Sequence, residues 1–347
     1  MTVSWWRHGI RAGVLASAVA IAVGCGAQPP VAVKAITAAR RAVSHKTIPE
    51  VPVRVVFSRE RAADGSVITI ARFTGSATYV LHDGSQDPGA LVGHVKAGPK
   101  ITGAARGRLV AAFNGGFKLS SLAGGYEQEG HVAKPIRAGL ASLVIDTSGE
   151  ARVGVWGSGV PVAGERVYSV RQNLWPLVSG GKPTKESALW WRWGGTIGHA
   201  EYVARSALGE NRAGELIYAA SMSTTPADLA WALAHAGALV AMELDINPEW
   251  VQLDAATHPG GPLRAKIGGQ DRPANQYLTG WTRDFITVQA PPRLFTSQVR
   301  DHVRGQLRQV AQDQARRRER VRGGRVLRAG DRDHPAARRG RGAQPVR

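Results

Sequence analysis

The stretch Leu216–Asn247, LIYAASMSTTPADLAWALAHAGALVAMELDIN, contains two apolar runs separated by signals that start and stop a helix. Thr225 has a side chain that caps helix N-termini, Pro226 suits the first helical position, and Asp228 stands three residues after the cap, as in a capping box. Gly237 is typical of the residue that ends a helix. The stretch therefore predicts a strand–helix–strand unit. Its parts are Leu216–Met222, Pro226–Ala236 and Ala238–Ile246.

The last strand of this unit ends in acidic residues. Because side chains alternate along a strand, Glu243, Asp245 and Asn247 are expected on one face, which is apolar at its start. The α-carbons of the two acids would lie about 6.5 Å apart. Two carboxylates at the end of a buried strand cost desolvation and like-charge repulsion. The pattern therefore indicates either a catalytic function or pairing with arginines at the sheet edge.

Residues 53–290 are typical of a strand-rich single domain with few helices, of the α+β or mixed α/β class. Short β-rich runs are bounded by Gly, Asp and Ser. Besides the strands named above, these runs are Val53–Phe57, Val67–Phe73, Ala77–His82, Leu109–Phe113, Ser142–Asp146 and Ala151–Trp156. The sequence has no Walker loop, HExxH motif or paired CxxC motif.

A second set of candidate residues follows the apolar strand Leu109–Phe113. Asn114 would present an amide at the end of that strand, and Gly115 and Gly116 allow a tight turn with close approach of the backbone to a ligand. Hairpins also contain such turns, so the motif by itself leaves a structural role open.

Two arginines, Arg171 and Arg205, stand beside small or amide residues and are candidates to hold an anion, since a guanidinium makes bidentate contacts to phosphate. A structural ion pair is the alternative for each of them. The aromatic segment Trp190–Trp193 offers either a platform for a sugar ring or a contribution to the core.

Acids and histidines at two-residue spacing raise the question of a metal site. Glu127, Glu129 and His131 would share one face of a strand, and His199 and Glu201 have the same spacing. Such pairs are common on exposed strands. The sequence therefore leaves a divalent metal open and identifies no cofactor.

The net charge of +19 is concentrated at the C-terminal end. Residues 291–347 contain 16 arginines against 5 acids, with few large apolar residues after position 323, so we expect a basic tail that is part helical and mostly disordered. The tail lacks the interleaved aromatic residues of single-strand binders, and no nucleic-acid partner is expected. Binding to acidic envelope polymers and a solvated extension without function are the alternatives.

The N-terminal segment has the organisation of an export signal. Two arginines precede an apolar run over 12–23, which is shorter than the roughly 20 residues that cross a bilayer. The segment 22–25, AVGC, resembles a lipobox, so residues 1–25 predict a signal peptide with Cys25 as the lipid attachment site. Residues 26–52 predict a tether. Plain secretion and an uncleaved signal anchor are the alternatives.

Four motifs, taken in order, resemble the phosphodiester glycosidase family, that is, domains like N-acetylglucosamine-1-phosphodiester alpha-N-acetylglucosaminidase. They are a strand ending in Asn-Gly-Gly-Phe at Ala111–Phe117, an Arg-x-x-x-Gly segment at Arg205–Gly209, a helix with a Gly-Ala pair at Thr225–Ala238, and Leu244-Asp245. Together they cover roughly residues 100–290. The family commonly continues its Leu-Asp with glycines and a serine, whereas this chain continues with Ile-Asn-Pro at 246–248.

The resemblance implies hydrolysis of a sugar-1-phosphodiester at its glycosidic bond. The phosphate leaving group is already a weak base, so the reaction needs less acid assistance than hydrolysis of an ordinary glycoside. It still needs a carboxylate, which either stabilises the oxocarbenium-like sugar carbon or activates a water molecule. Physical argument favours Asp245 as this carboxylate and Glu243 as its partner. Arg205, with Arg171 second, would hold the phosphate charge. The other expected substrate contacts are Asn114, Gly115, Gly116 and Asn247.

These inferences predict an exported, lipid-anchored hydrolase that acts on phosphate-linked sugars or polymers of the bacterial envelope, held at the membrane or secreted. The Ile-Asn-Pro departure favours an alternative, in which the same fold is a lipoprotein that binds an envelope glycan or phosphopolymer without cleaving it. Release of free sugar from sugar-1-phosphate diesters separates the two hypotheses.

Overall fold

The computed structural model describes residues 51–89, 100–121, 123–194 and 199–292. All of them belong to a unit that spans Pro49–Arg347, and a separate unit spans Met1–Ile48. The expected signal peptide with Cys25, nearly all of the tether and the basic tail from residue 293 lie outside the described residues.

The described residues form seventeen strands, three α-helices and two short 3-10 helices. The strands are β1 (Arg54–Arg61), β2 (Val67–Thr74), β3 (Thr78–His82), β4 (Leu109–Asn114), β5 (Tyr126–Gln128), β6 (His131–Lys134), β7 (Ala141–Asp146), β8 (Ala151–Val155), β9 (Val167–Gln172), β10 (Pro176–Ser179), β11 (Lys182–Pro183), β12 (Val203–Asn211), β13 (Leu216–Thr224), β14 (Ala238–Glu243), β15 (Leu253–Ala255), β16 (Arg264–Ala265) and β17 (Phe285–Gln289). The helices are α1 (Gly103–Arg108), α2 (Pro226–His235), α3 (Gln276–Thr279) and the 3-10 turns Lys185–Ala188 and Trp190–Arg192. Every predicted strand overlaps an observed one, and the strand-rich class is confirmed.

These strands form three sheets in which neighbouring strands are antiparallel. The first sheet has seven strands in the order β1-β2-β13-β12-β14-β10-β11. The second has the order β16-β15-β4-β17-β3, and the third has the order β6-β5-β9-β7-β8.

The predicted strand–helix–strand unit is present as β13, α2 and β14. The Thr225 hydroxyl accepts a hydrogen bond from the Asp228 backbone N–H (3.1 Å), and Pro226 lies in the first turn. β13 and β14 are both antiparallel to β12, which lies between them, so they are parallel to each other. α2 therefore connects two strands that are not neighbours.

β14 is shorter than predicted, because it ends at Glu243 and not at Ile246. The Leu244 N–H still donates to the Ser206 carbonyl on β12 (2.8 Å), but the Asp245 N–H donates to the Gly115 carbonyl in the turn after β4 (3.0 Å). The chain leaves the first sheet at this point. The expectation that the acids share one strand face is therefore wrong.

The central strand β13 of the first sheet is buried on both faces over most of its length. Along β13, Leu216, Tyr218 and Ala220 join a central core to which all three sheets contribute. The alternate residues Ile217 and Ala219 pack in a second cluster that includes the apolar face of α2. Because α2 covers one face of β13 and the other sheets cover the opposite face, the sequence of this strand is almost continuously apolar.

Three segments converge next to this core: the turn after β4, the segment after β14 and the segment before β17. The Gly115 N–H donates to the Asp284 carbonyl (2.9 Å), while its carbonyl accepts from the Asp245 N–H. The backbone therefore places residues 114–117, 244–250 and 282–284 beside one another.

Replacing Thr225 with Ala is expected to lower the free energy of unfolding by about 1 kcal/mol, because the Asp228 N–H loses its acceptor at the buried start of α2. Thr225→Ser keeps the hydroxyl and is the matched control, with a smaller expected loss. Urea denaturation measures both variants against the unchanged protein. Equal losses in the two variants would assign the effect to the threonine methyl group and contradict a capping contribution.

Candidate active site

A cavity of about 530 Å³ opens where the three segments meet. This volume is in the range of small-molecule sites. Among the described residues of its wall, Asp245 is the single carboxylate. The other polar or aromatic side chains of the wall belong to Phe117, Lys118, Ser121, Tyr202, Asn247, Trp250 and Arg283.

Asp245 forms an ion pair with Arg283 at the cavity wall. The Asp245 Oδ2 lies 2.8 Å from Arg283 Nη2, and both side chains are buried apart from a small exposed fraction. The Asp245 Oδ1 accepts from the Asn247 N–H (3.0 Å), and Arg283 Nη2 also donates to the Gly116 carbonyl (3.0 Å). A carboxylate has about four lone-pair positions, so Asp245 keeps capacity to bind water or a ligand.

Arg283 has two further neighbours that fix its position. Asp87 Oδ2 lies 3.2 Å from Arg283 Nη1, and the guanidinium carbon lies 5.7 Å from the centre of the Trp250 ring. The arginine charge is therefore shared between two carboxylates, of which only Asp245 belongs to the cavity wall.

Burial raises the pKa of Asp245 to about 6, and the positive charge of Arg283 opposes this shift. The hydrogen bond from Asn247 also lowers the pKa, while the Asp284 charge raises it. A carboxylate whose pKa lies near neutrality can exchange a proton at physiological pH. This property is what general acid–base chemistry requires.

Glu243 does not belong to the cavity wall. Its Oε1 lies 2.7 Å from Arg205 Nη1, and both side chains are fully buried. Arg205 also donates to the carbonyls of Trp193 (3.1 Å) and Thr224 (3.3 Å). Burial raises the pKa of Glu243 against the effect of the Arg205 charge. The structure therefore places these two residues in an internal ion pair, and their predicted roles toward a substrate are untested.

Arg171 forms a second fully buried ion pair, with Asp284 (Nε to Oδ2, 2.8 Å). The glycine turn packs directly on this pair. The Gly116 N–H donates to Asp284 Oδ2 (3.2 Å), and a Cβ at Gly116 would lie 2.8 Å from Arg171 Cζ. The close approach that Gly115 and Gly116 predict is therefore made to an ion pair. A ligand contact of these residues stays a prediction.

Asn114 is buried and joins four parts of the fold. Its Nδ2 donates to the Gly115 carbonyl (3.0 Å) and to Ser206 Oγ (2.9 Å). Its Oδ1 accepts from the Tyr218 hydroxyl (2.8 Å) and from the Gln252 N–H (3.2 Å). A ligand that contacted this amide would have to replace one of these hydrogen bonds, and its predicted contact is untested.

Glu127, Glu129 and His131, which the sequence left open as metal ligands, do not share one strand face. Glu127 and His131 lie on different strands, β5 and β6, and Glu129 in the turn between them has a φ of 51°. The interpretation of these residues as one strand is wrong, because the chain reverses at this turn. His199 and Glu201 are exposed and precede β12. Within the described ranges, no group of three His, Cys, Asp or Glu is placed to hold a metal ion.

The tryptophan segment is divided between the core and the surface. Trp193 is fully buried, and its Nε1 donates to the Glu186 carbonyl (2.7 Å). Trp191 is 61% exposed. Trp193 therefore contributes to the core, whereas the side chain of Trp191 is accessible to a ligand.

The sequence did not single out Arg283, Trp250, Tyr202 or Lys118, although all four belong to the cavity wall. The signal that could have found Arg283 is an Arg-Asp pair immediately before the apolar strand β17. No local pattern marks the other three, since their distance to Asp245 depends on how the sheets pack.

Comparisons with known proteins found similarity to solved structures at low sequence identity. No protein family model matches it, and no curated protein matches it. The catalytic domain of zebrafish N-acetylglucosamine-1-phosphodiester alpha-N-acetylglucosaminidase, auto-inhibited by its pro-peptide, is 14% identical with a TM-score of 0.44 over 71% of this chain and 85% of that chain. A hypothetical protein from Synechocystis is 13% identical with a TM-score of 0.39 over 70% of this chain and 64% of that chain.

Asp245 is expected to make the protein less stable as the pH rises from about 4 to about 6. Its pKa is about 6 in the folded protein and close to the ordinary value of about 3.9 in the unfolded chain. The folded state binds this proton more tightly, so the stabilisation is complete below the lower pKa and is lost as the pH rises through the upper one. Asp245→Asn removes this dependence.

Urea denaturation at a series of pH values tests this expectation. The free energy of unfolding of Asp245→Asn, minus that of the unchanged protein, should rise by about 2–3 kcal/mol between about pH 4 and about pH 7. Asp271→Asn, at a side chain that is 58% exposed, controls for loss of a surface carboxylate. A difference that does not change with pH would contradict the raised pKa.

Proposed function

We propose that this protein is a hydrolase that cleaves the glycosidic bond of sugar-1-phosphodiesters, with Asp245 as its catalytic carboxylate. The observation that carries the proposal is the position of Asp245 as the one carboxylate among the described residues of the cavity wall. Hydrolysis of ordinary glycosides uses two carboxyl groups, one of which protonates the leaving group. A phosphate monoester leaves without that help, so a site with one carboxylate suits this substrate class.

The other groups of the cavity wall suit an anionic sugar. Arg283 and the exposed Lys118 supply positive charge for the phosphate. Trp250 and Tyr202 supply aromatic faces for the apolar side of a sugar ring. The Nδ2 of Asn247 donates no hydrogen bond within the described part of the chain, so it is available to a sugar hydroxyl or a phosphate oxygen.

In the proposed reaction the ionised Asp245 removes a proton from a water molecule. The water oxygen attacks the anomeric carbon, the bond from this carbon to the phosphate oxygen breaks, and the phosphate monoester leaves with the electron pair. Arg283 and Lys118 stabilise the charge on the departing phosphate. Because the base must be ionised, kcat/KM is expected to fall as the pH falls below about 6, the pKa of Asp245.

Asp245→Asn is expected to lower kcat/KM by about 10²–10⁴-fold while the fold is retained, because an amide cannot accept the proton. The substrates are methyl diesters of α- and β-linked sugar-1-phosphates, and release of free reducing sugar is the measurement. Asp271→Asn, which changes an exposed carboxylate, is the matched control and should be unaffected. Full activity in Asp245→Asn would remove this residue from the mechanism.

One observation favours a second candidate function, a lipoprotein that binds an envelope glycan or phosphopolymer without cleaving it. Asp245 is held by Arg283 and by the Asn247 N–H, in a turn where the resembled family has glycines. The same diester panel separates the candidates. Saturable binding with no sugar released from any diester would establish the binding protein and reject the hydrolase.

Export and a lipid anchor at Cys25 are also part of this proposal, and they rest on the sequence alone. No helix among the described residues is long and apolar enough to cross a membrane. When the full chain is expressed in a bacterium, it should fractionate with membranes, and Cys25→Ser should move it to the soluble exported fraction. Retention of both proteins in the cytoplasm would contradict export, and an identical membrane fraction for both would contradict the anchor.

A further inference from the structure

A groove of about 610 Å³ adjoins the cavity that contains Asp245. The groove and the cavity share Phe117, Ser121 and Gly194 as wall residues. Gly194 has a φ of 97°, and a Cβ at this position would lie 2.9 Å from the Phe117 ring and 2.7 Å from Ile246 Cδ1. Glycine is therefore the residue that fits where the two spaces share their wall, and the groove and the cavity lie next to each other.

The wall between the groove and the cavity is held in a defined position. Lys134 Nζ donates to the carbonyls of Leu119 (2.8 Å), Ser121 (2.8 Å) and Ala123 (2.7 Å), which follow the turn after β4. A single ammonium thus binds three carbonyls around Ser121, which belongs to the wall of both spaces.

The groove combines aromatic faces with positive charge. Trp191 is 61% exposed and Trp175 is 39% exposed, and the Arg192 guanidinium lies 4.8 Å from the centre of the Trp175 ring. Arg137 also belongs to the groove wall, and none of its described wall residues is acidic. Exposed aromatic rings bind the apolar faces of sugar rings, and guanidinium groups bind phosphate.

We propose that this groove binds the next units of a phosphate-bearing saccharide chain, so that the protein acts on a polymer and not on an isolated sugar diester. This inference rests on the function proposed for the neighbouring cavity. One unit of the chain occupies the cavity beside Asp245, the chain passes Phe117 and Gly194, and the following units contact Trp191 and the Arg192–Trp175 pair.

The test uses full-length Asp245→Asn protein, in which cleavage is expected to be slow. Calorimetry measures its affinity for synthetic glycosyl-phosphate oligomers of one and four units. The four-unit oligomer should bind about tenfold more tightly than the single unit, because it gains the groove contacts. Adding Trp191→Ala should remove this advantage and leave single-unit affinity unchanged. Trp231→Ala, at another exposed tryptophan that lies on α2, is the matched control and should change neither affinity.

The charge in the groove is tested separately. Arg192→Gln should weaken the binding of the four-unit oligomer and reduce its dependence on salt, because a phosphate contact is lost. A neutral four-unit oligosaccharide of the same sugar should bind no better than the single unit. Equal binding of the neutral and phosphate-bearing chains would overturn the assigned substrate class.

Equal affinities for one and four units, or equal effects of Trp191→Ala and Trp231→Ala, would overturn the groove as a binding site. A different experiment tests catalysis: it measures sugar release from the single-unit diester by the unchanged protein. Cleavage without length dependence would keep the proposed function and reject the groove. Length-dependent binding without cleavage would keep the groove and reject the hydrolase.

Discussion

A charge buried in a protein interior must be accompanied by an opposite charge or by several hydrogen bonds, because the interior solvates it poorly. Three arginine–carboxylate pairs of this protein satisfy this condition: Arg171–Asp284, Arg205–Glu243 and Arg283–Asp245. The second pair joins the neighbouring strands β12 and β14 within the first sheet. The first pair joins β9 of the third sheet to the segment before β17 of the second. The last joins that same segment to the end of β14 in the first sheet. Removing one partner would leave an unpaired charge, so the sheets are held in one arrangement.

The three pairs differ in their access to solvent, and this difference separates structure from chemistry. Arg171, Asp284, Arg205 and Glu243 are enclosed by protein atoms, and the glycine turn packs on the first of these pairs. Only the Arg283–Asp245 pair reaches a cavity. The carboxylate in this pair has a raised pKa because it is buried, yet it has room for a ligand or water. The reactive group of the proposed hydrolase is therefore also part of the network that orders the fold.

The surface around this pair is larger than one small-molecule site. The cavity shares Phe117 and Gly194 with the aromatic, positively charged groove beside Trp191. A substrate that is both long and anionic would contact both spaces, whereas an isolated sugar diester would use only the first. The proposed groove would thus make the reaction at Asp245 depend on the length of the substrate.

The sequence by itself determined the strand-rich class, the strand–helix–strand unit with its Thr225 cap, and Asp245 as a candidate carboxylate. Side-chain alternation, helix capping and turn preferences depend on residues that are close in sequence, so they can be recognised in a single sequence. Only the tertiary structure decided which arginine faces which acid. Arg283 and Asp245 are 38 residues apart along the chain, and Arg171 and Asp284 are 113 apart. Arg171 and Arg205 lie in internal ion pairs, the structural alternative that the sequence left open for each, and the packing of three sheets brings Arg283 to the cavity. Such pairings depend on where the chain leaves one sheet for another, as it does after Glu243, and local sequence patterns do not specify that geometry.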